Sequence, residues 1–320
     1  MAHPSAQNSL VENGTALTGI LLITGGALIF SVNDMAVKHL SGAYALHQII
    51  LIRALIGMAF LMVLLARSPR GFRQVRTGRP GLHALRVAVI LISNVTYFTG
   101  LAYMEIADAV AVAYVSPLVI TVLSMAVLGE KVGPRRWTAI LLGLTGVIVM
   151  LRPGAGVVQP AAVLVLISAI LYAVGNLLTR RMGGTESALT LSFWVQAGFI
   201  LASGTMGLVA GDGHLATDDP LWSFLVRPWF WPPAEDWPWL LATGLSVSIG
   251  GLMVAQAYRT TEAGLIAPFE YSGMPMAIFW GVLIFGTWPD LTSWAGIALI
   301  CGSGLYVVWR EAKLRRKGRA

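Results

Sequence analysis

Charge and cysteine are both scarce in this sequence. Asp, Glu, Lys and Arg together make up 12% of the 320 residues, about half the share found in a soluble domain. The one cysteine, Cys301, lies within an apolar run, which excludes a disulfide framework and a cysteine-ligated metal site. The five histidines are scattered without metal-ligand spacing, so we predict neither a bound metal nor a cofactor.

Long apolar runs are abundant instead. Apolar residues make up 56% of the chain and the mean hydropathy is +0.73. A helix needs about 20 apolar residues to cross a bilayer core of about 30 Å. We therefore predict an all-α integral membrane protein with ten transmembrane helices, called spans 1 to 10 in chain order. They lie at residues 16–39, 45–66, 82–104, 107–128, 136–151, 160–181, 187–210, 237–258, 262–285 and 290–309.

The distribution of basic residues predicts the orientation. Eighteen of the twenty-two Lys and Arg residues flank links on one face of the predicted bundle: Arg67, Arg70, Arg73, Arg76, Arg79, Arg86, Lys131, Arg135, Arg136, Arg180, Arg181, Arg259, Arg310, Lys313, Arg315, Arg316, Lys317 and Arg319. Lys38, Arg152 and Arg227 lie on the other face, and Arg53 lies inside span 2. The positive-inside rule makes the first face cytoplasmic. We expect an inner-membrane protein whose tails, residues 1–15 and 310–320, are both cytoplasmic, and the basic pI then requires no nucleic-acid partner.

One long link, residues 211–236, joins spans 7 and 8 on the opposite face. It is rich in tryptophan and proline, and tryptophan rings favour the headgroup layer. We expect this link to lie along the membrane surface, with a gating lid as the alternative.

The two halves of the chain resemble each other. The matching segments are Ala27–Lys38 with Ala169–Arg180, Ala45-Leu46 with Ala188-Leu189, Ala102-Tyr103 with Ala257-Tyr258, and Gly129 and Trp137 with Gly286 and Trp294. We predict two five-helix repeats, residues 16–152 and 160–309. Because five is an odd number, the two copies must enter the membrane from opposite sides. Inverted repeats of this kind are typical of secondary transporters, whose substrate site lies between the halves near the midplane.

At this point the chain resembles the EamA-type members of the drug/metabolite transporter superfamily. The similarity covers residues 16–309 and is carried by Ala102–Pro117, by Leu128-Gly129-Glu130-Lys131, and by Trp137 with the Gly143/Gly146 helix. It implies a ten-helix basket whose central cavity is lined by spans 1, 3, 4, 6, 8 and 9. The family's Gly-Glu pair at the end of span 9 is replaced here by Gly286-Thr287, so a role for that carboxylate would depend on Glu130 alone. The stretch Phe30–Asp34 with Lys38 is also similar to members that move vitamins such as riboflavin.

Two buried charges are predicted at similar depth in spans 1 and 2. Asp34 is roughly 7 Å and Arg53 roughly 10 Å from the outer helix ends. Ionisable groups inside a bilayer are costly and are functional candidates by default. We expect an Asp34–Arg53 ion pair at the edge of the cavity, which either is structural or contacts substrate or protons. Alternatively, Lys38 extends back to Asp34.

Glu270 is the main candidate for substrate or proton recognition. It lies among Pro268, Gly273 and Pro275, and span 4 carries Ser116-Pro117 at nearly the corresponding position. Proline removes a backbone donor and opens a helix locally, and matched interruptions in two repeats indicate a binding site. A carboxylate in a medium of low dielectric can exchange a proton near neutral pH. The alternative is a permanently protonated side chain that bonds a neighbouring helix.

Further polar and aromatic residues on the expected cavity helices complete the predicted site: Asn33, Ser93, Asn94, Tyr97, Tyr114, Ser116, Tyr172, Asn176, Gln256 and Tyr271. Such a mixture suits a planar or amphipathic metabolite. In membrane bundles, however, single Asn, Ser and Tyr side chains more often connect helices. Spans 5 and 10 are glycine-rich, with Gly143, Gly146, Gly296, Gly302 and Gly304, which suits close packing or a subunit contact such as a homodimer.

Taken together, these features predict a secondary transporter of a small polar or amphipathic metabolite that is amino-acid-, vitamin- or drug-like. It would work by alternating access and be driven by protons or by the substrate's own gradient. A channel is one alternative, which the internal repeat disfavours. A membrane-embedded enzyme is another, although the sequence has no Gly-rich phosphate loop, paired-aspartate motif, HExxH or Ser/His/Asp constellation.

Overall fold

A computed structural model of the chain describes residues 4–129, 134–151 and 160–316, and all regular secondary structure in these ranges is helical. The α-helices are α1 (Pro4–Leu40), α2 (Leu46–Arg67), α3 (Pro80–Ala102), α4 (Ile106–Ala113), α5 (Ser116–Leu128), α6 (Pro134–Leu151), α7 (Pro160–Met182), α8 (Ala188–Ala210), α9 (Pro220–Val226), α10 (Trp237–Thr260), α11 (Ala263–Ile266), α12 (Met274–Phe285) and α13 (Leu291–Arg316). Short 3₁₀ segments cover Gly71–Val75, Ala234–Asp236 and Ala267–Gly273.

The predicted spans correspond to these helices. Spans 1, 2 and 3 are α1, α2 and α3, span 4 is α4 with α5, and spans 5 to 8 are α6, α7, α8 and α10. Span 9 is α11, the third 3₁₀ segment and α12, and span 10 is α13. Seven of these stretches are long and apolar enough to cross a membrane by length and composition. The remaining three are the shorter α6, the interrupted span 9, and α13, whose apolar part is Leu291–Ser303.

Two helix ends differ from the predicted boundaries. α1 begins at Pro4 rather than at residue 16, and α13 continues to Arg316. Proline is favoured at a helix start because its missing N–H would be unpaired there anyway. No residue between Pro4 and span 1, or between span 10 and Arg316, is a strong helix breaker apart from one glycine, so both helices continue beyond their apolar runs.

Spans 4 and 9 are interrupted, as the prolines predict. Span 4 breaks at Tyr114 and Val115, just before Pro117, and span 9 changes to a 3₁₀ segment from Ala267 to Gly273. Both spans then end in the same way. Gly129 and Gly286 have φ angles of 69° and 64°, a left-handed conformation that favours glycine and terminates a helix.

The helix contacts are related by a swap of the two halves. Span 1 packs on span 8, and the equivalent span 6 packs on span 3. Span 9 contacts span 1, and span 4 contacts span 6 in the same way, while spans 2 and 7 and spans 5 and 10 pack on their own counterparts. This pattern is what an inverted repeat produces. The exact repeat boundaries, residues 16–152 and 160–309, stay a prediction, and Arg152 lies outside the described residues.

Two glycines of span 5 serve close packing within the chain. Gly146 lies against the backbone oxygen of Gly296 and the side chain of Ile300, and Gly143 lies against Leu118 and Ser303. A side chain at either position would collide with the facing helix. The homodimer stays a prediction.

The long link between spans 7 and 8 packs against the helix bundle, and its place along the membrane surface stays a prediction. Its residues cap the start of α2: the Gln48 side chain donates to the Phe230 carbonyl over 2.5 Å, and the Tyr44 hydroxyl donates to Asp236 over 2.5 Å. Phe224 is fully buried, and Trp229 stacks on His47. Its aromatic residues therefore make contacts with the helix bundle that sequence periodicity could not reveal.

Candidate functional site

A central cavity of about 250 Å³ lies between the two halves. Its wall includes residues from spans 1, 3, 4, 6, 8 and 9, which are the helices that the family resemblance implies. Span 7 also contributes, through Ser192, Val195, Gln196 and Phe199 on α8. Residues of this wall come from both repeats, so the cavity exists only because the halves pack together.

Most of the predicted site residues lie in this wall. They are Asn33, Asp34, Asn94, Tyr97, Tyr114, Ser116, Tyr172, Asn176 and Glu270, together with Ser93 and the helix-break residue Gly273. The prolines themselves, Pro117, Pro268 and Pro275, lie outside the wall and act on it only through the backbone that they interrupt.

Glu270 is held by two tyrosines of the second half. Its Oε1 accepts a hydrogen bond from Tyr258 over 2.7 Å and another from Tyr172 over 3.2 Å. The side chain is 6% exposed. Its other oxygen, Oε2, accepts no hydrogen bond from the described residues and is accessible rather than buried. The 3₁₀ segment thus presents one fixed carboxylate oxygen to the tyrosines and leaves the other available on the cavity side.

Asp34 is held by the first half. Its Oδ2 accepts a hydrogen bond from the Tyr97 hydroxyl over 2.9 Å, and Oδ1 accepts one from the Asn33 amide over 3.3 Å. Both carboxylate oxygens are therefore engaged by the protein, and Asp34 also belongs to the cavity wall.

The predicted Asp34–Arg53 ion pair is wrong. Arg53 is fully buried, donates to Asn94 Oδ1 over 2.6 Å, and packs between the rings of Phe98 and Phe199. Two of its nitrogens, Nε and Nη1, have no hydrogen-bond partner within the described residues. Asn94 bonds Arg53, and Tyr97, one turn later on the same face of α3, bonds Asp34. The two charges therefore lie near one another but are bonded to different residues of α3 and not to each other.

Lys38 does not reach back to Asp34 either. Its Nζ donates to the carbonyl oxygens of Leu101, Ala102 and Met104 over 2.8, 3.1 and 2.6 Å. These carbonyls end α3, where no intrahelical donor is available to them. The ammonium group therefore connects the end of α1 to the end of α3.

Two further predicted residues are not in the wall. Gln256 accepts a hydrogen bond from Arg259 on the same helix over 3.0 Å. Tyr271 is buried with its ring against Tyr114, and its hydroxyl donates to the Tyr114 carbonyl over 3.2 Å. Both lie on helices that form the cavity, but their side chains point away from it because neighbouring positions on one helix face different directions.

Arg86 is the main residue that sequence reasoning misplaced. We counted it among the cytoplasmic residues that flank the link between spans 2 and 3, near the start of the predicted span 3. In the structure this part of α3 is packed within the bundle, and Arg86 is 5% exposed and belongs to the cavity wall. The sequence did contain a signal for this position. Arg86 is six residues after Pro80, where α3 begins, and six residues of helix advance about 9 Å into the membrane.

Polar residues of α7 form a stripe along the cavity wall, and one of them bonds a serine of α3. Ser168, Tyr172 and Asn176 are spaced by four residues and all line the cavity, as expected for one face of a helix. Ser168 and Ser93 bond each other and each other's backbone oxygen, at 2.7 to 3.0 Å. This pair connects α7 to α3 and shows that part of the polar wall holds helices together. Glu130 lies outside the described residues.

Comparison with known proteins agrees with this architecture. Residues 17–152 match the model of the EamA-like transporter family. The chain is 28% identical to the riboflavin transporter of Rhizobium johnstonii over 312 residues, which covers 97% of this chain and 98% of the relative. It is 21% identical to the S-adenosylmethionine uptake transporter of Rickettsia prowazekii, with 93% and 95% covered, and 26% identical to the pseudopaline exporter of Pseudomonas aeruginosa, with 88% and 93% covered.

A solved crystal structure shares the fold. It superposes with a TM-score of 0.71 at 19% sequence identity and covers 92% of this chain and 98% of its own. The named relatives are transporters and none is an enzyme. The helices and the relatives together describe a multi-pass membrane protein that transports a small metabolite.

Proposed function

Because the chain is an EamA-type transporter of the drug/metabolite transporter superfamily, we propose that it carries a small metabolite by alternating access, coupled to protons at Glu270. The observation that carries this proposal is the cavity itself, which both halves line and to which Glu270 offers a carboxylate oxygen. Under this proposal both termini are cytoplasmic and the membrane is the inner membrane, as the basic residues predict.

Equivalent contacts at the two faces support alternating access. Lys38 and Arg180 align in the internal repeat, and so do Met104 and Arg259. Lys38 Nζ donates to the Met104 carbonyl over 2.6 Å, and Arg180 Nη1 is 3.4 Å from the Arg259 carbonyl. One contact lies at the outer ends of α1 and α3 and the other at the inner ends of α7 and α10. Each is suited to closing one mouth of the cavity.

The two contacts differ in strength. Lys38 bonds three carbonyl oxygens, while Arg180 makes one long bond to Arg259. We infer that the two closures alternate: a state in which the outer closure opens would tighten the inner one. Because of the two-fold repeat, both conformations use the same kinds of helix contact, so the free-energy difference between them should be small.

Proton coupling is proposed for Glu270 rather than Asp34. A carboxylate inside a bilayer is costly to ionise, and Glu270 Oε2 accepts no hydrogen bond from any residue that the structure describes. Substrate or water can therefore exchange a proton there. Asp34 has both oxygens engaged, which suits a fixed acceptor.

A planar heterocyclic metabolite is the substrate class we propose. Aromatic side chains line the cavity, among them Phe30, Tyr97 and Tyr172, and they alternate with amide and hydroxyl groups. Such walls stack on a flat ring and bond its polar edge. Riboflavin, named for the Rhizobium relative, is therefore the first compound to test, followed by S-adenosylmethionine, named for the Rickettsia relative.

The test is transport by the purified protein in proteoliposomes. We expect saturable uptake of riboflavin or S-adenosylmethionine, and stimulation of that uptake when a pH gradient is imposed. Flux that rises linearly with substrate concentration would indicate a channel. If neither compound nor a wider panel of heterocyclic metabolites showed saturable flux in either direction, the carrier proposal would be wrong.

The Glu270→Gln variant tests the coupling separately. It keeps a polar side chain of the same length but cannot exchange a proton. We expect counterflow exchange of substrate to persist while stimulation by a pH gradient disappears. Unchanged pH-gradient stimulation in this variant would exclude Glu270 as the coupling group.

A further inference from the structure

We propose that the cavity end around Arg86 is a subsite for an anionic group of the substrate, either a carboxylate or a phosphate monoester. This inference rests on the proposed transport function and narrows its substrate class. It starts from a buried cation in the cavity wall that has no carboxylate partner in the part of the chain that the structure describes.

Two hydrogen bonds fix the Arg86 guanidinium. Nε donates to the Thr179 hydroxyl over 2.7 Å, and Nη1 donates to the Leu191 carbonyl over 3.0 Å. Both acceptors are neutral, and they come from α7 and α8 in the other half of the chain. Nη2 makes no hydrogen bond within the described residues, and this atom is accessible rather than buried. The group is therefore held in one orientation with a donor left on the cavity side.

The carboxylate of Glu186 lies at the same end of the bundle as Arg86 but contacts other residues. Glu186, at the same end of the bundle, accepts a hydrogen bond from Thr77 over 2.6 Å and lies 3.5 Å from His83 Nε2. Arg86 makes no ion pair with any residue in the part of the chain that the structure describes. A buried arginine without a counter-ion is costly in a membrane and marks a ligand pathway by default.

A second donor lies beside Arg86. Asn176 is 7% exposed, lines the cavity beside Tyr172, and its amide nitrogen Nδ2 makes no hydrogen bond of good geometry with any described residue. It is three residues from Thr179 on α7, which places it one turn along the same face. Ser192, next to Leu191, also belongs to the wall. This end of the cavity therefore offers donors and positive charge together.

Carboxylates and phosphates are the groups that such an end recognises. The planar guanidinium matches their two oxygens, and charge-assisted hydrogen bonds are about twice as strong as neutral ones. An anionic group would also supply the missing counter-charge to Arg86.

The distance to Glu270 indicates how a substrate would lie. Thr179, which bonds Arg86, and Tyr172, which bonds Glu270, are seven residues apart on α7, or roughly 10 Å along the helix. A ring system fits between them, with its anionic substituent directed to Arg86 and its donor-bearing edge directed to Glu270. The proposed class is thus a planar heterocycle with one anionic substituent.

The other buried arginine provides the matched control. Arg53 is sandwiched by Phe98 and Phe199 and is absent from the cavity wall. Replacing Arg53 by glutamine removes a buried charge from the bundle without touching the subsite. Arg86→Gln and Arg53→Gln therefore separate loss of the subsite from loss of a buried cation in general.

The experiment compares flavins that share one ring system. Binding to the purified full-length protein in nanodiscs is measured by quenching of flavin fluorescence, with riboflavin as the neutral ligand, riboflavin 5′-phosphate as the phosphate, and a 10-carboxymethylflavin as the carboxylate. We expect at least one anionic flavin to bind about tenfold or more tightly than riboflavin, as one charge-assisted bond would give. The preferred anion identifies the group. Arg86→Gln should lose the preference, Arg86→Lys should keep part of it, and Arg53→Gln should keep all of it.

A ring-free arm covers the case in which no flavin binds. Thermal unfolding is followed in inorganic phosphate and in acetate against chloride at equal ionic strength. We expect either anion to raise the Tm of the wild type and of Arg53→Gln more than that of Arg86→Gln, since a ligand stabilises the state it binds. Equal behaviour of all three proteins in both arms, or equal affinity of the wild type for neutral and anionic flavins, would overturn the subsite. Failure of saturable transport with an intact anion effect would instead overturn the proposed function.

Discussion

The two halves of the molecule share a scaffold but not their polar chemistry. Both halves break one span, end it with a left-handed glycine, and place a cation at the end of their first helix. Yet Glu270 aligns with Val115 and Asp34 with Asn176. Glu270 leaves one carboxylate oxygen to the cavity, while both oxygens of Asp34 are bonded. The repeat therefore supplies the geometry of exchange between two states, and the differences between the halves supply the chemistry.

The difference between the two acids gives the largest expected effect. We expect Glu270→Gln to abolish uptake driven by a pH gradient, since the proposed coupling group is lost. Asp34→Asn should weaken substrate binding by about tenfold, because Tyr97 and Asn33 then lose the charged acceptor that fixes this part of the cavity wall. Uptake and equilibrium binding in proteoliposomes distinguish the two. Equal phenotypes of the two variants would break the assignment of different roles.

Lys38 and Arg180, the cations near the ends of α1 and α7, give the next largest expected effect. Lys38→Met removes three hydrogen bonds and Arg180→Met only one. Access to the cavity can be measured with the Ser116→Cys variant in a Cys301→Ser background. Ser116 lies in the cavity wall, and the introduced thiol reacts with a membrane-impermeant maleimide only when the cavity is open to that face. We expect Lys38→Met to raise the labelling rate from the outer face by about tenfold, the ratio for roughly 1.4 kcal/mol.

Arg180→Met serves as the matched partner of that experiment. It should change labelling from the inner face, and by a smaller factor than Lys38→Met changes it from the outer face. If both variants raised labelling from the same face, the symmetric closure would be disproved.

The tyrosines of Glu270 give a smaller effect. Tyr258→Phe removes the 2.7 Å bond to Oε1 and Tyr172→Phe the 3.2 Å bond. We expect each change to reduce the rate of proton-driven uptake by about threefold to tenfold, as the loss of about 1 kcal/mol implies, with Tyr258→Phe the larger. Tyr97→Phe, which removes the bond to Asp34, is the control in the first half, and its pH-gradient stimulation should stay intact.

The last prediction concerns stability, with the smallest expected effect on transport, and tests the contact between the halves. Gly100 on α3 lies against Val165 and the Ala161 carbonyl of α7, while an added side chain at Gly204 on α8 would meet nothing within 4 Å. We expect Gly100→Ala to lower the free energy of unfolding by about 1–3 kcal/mol through overpacking. Gly204→Ala should leave it within about 0.5 kcal/mol of the wild type. Thermal unfolding in detergent checks both, and equal Tm values would contradict the close α3–α7 contact.

The number, order and breaks of the spans could be predicted from the sequence because the bilayer imposes a length and a composition on each helix. The positions of most cavity residues followed from the lining helices that the family resemblance implies, and the position of Glu270 followed from the prolines. Arg53 and Arg86 could not be placed in this way. Arg53 was assigned by its depth along span 2 and Arg86 by its place beside a basic link, whereas the surroundings of both depend on the rotation of each helix against its neighbours, which apolar runs do not encode.

The sequence by itself determined an all-α membrane protein with two related halves, an interrupted span in each, and Glu270 beside one of the breaks. It could do so because hydrocarbon forces backbone hydrogen bonds into helices and makes every charge within them conspicuous. Only the tertiary structure decided which charges meet. It bonded Asp34 and Arg53 to different residues of α3, used Lys38 to join α1 to α3, and placed Arg86 in the cavity wall. Contacts of this kind depend on how helices distant in sequence pack side by side.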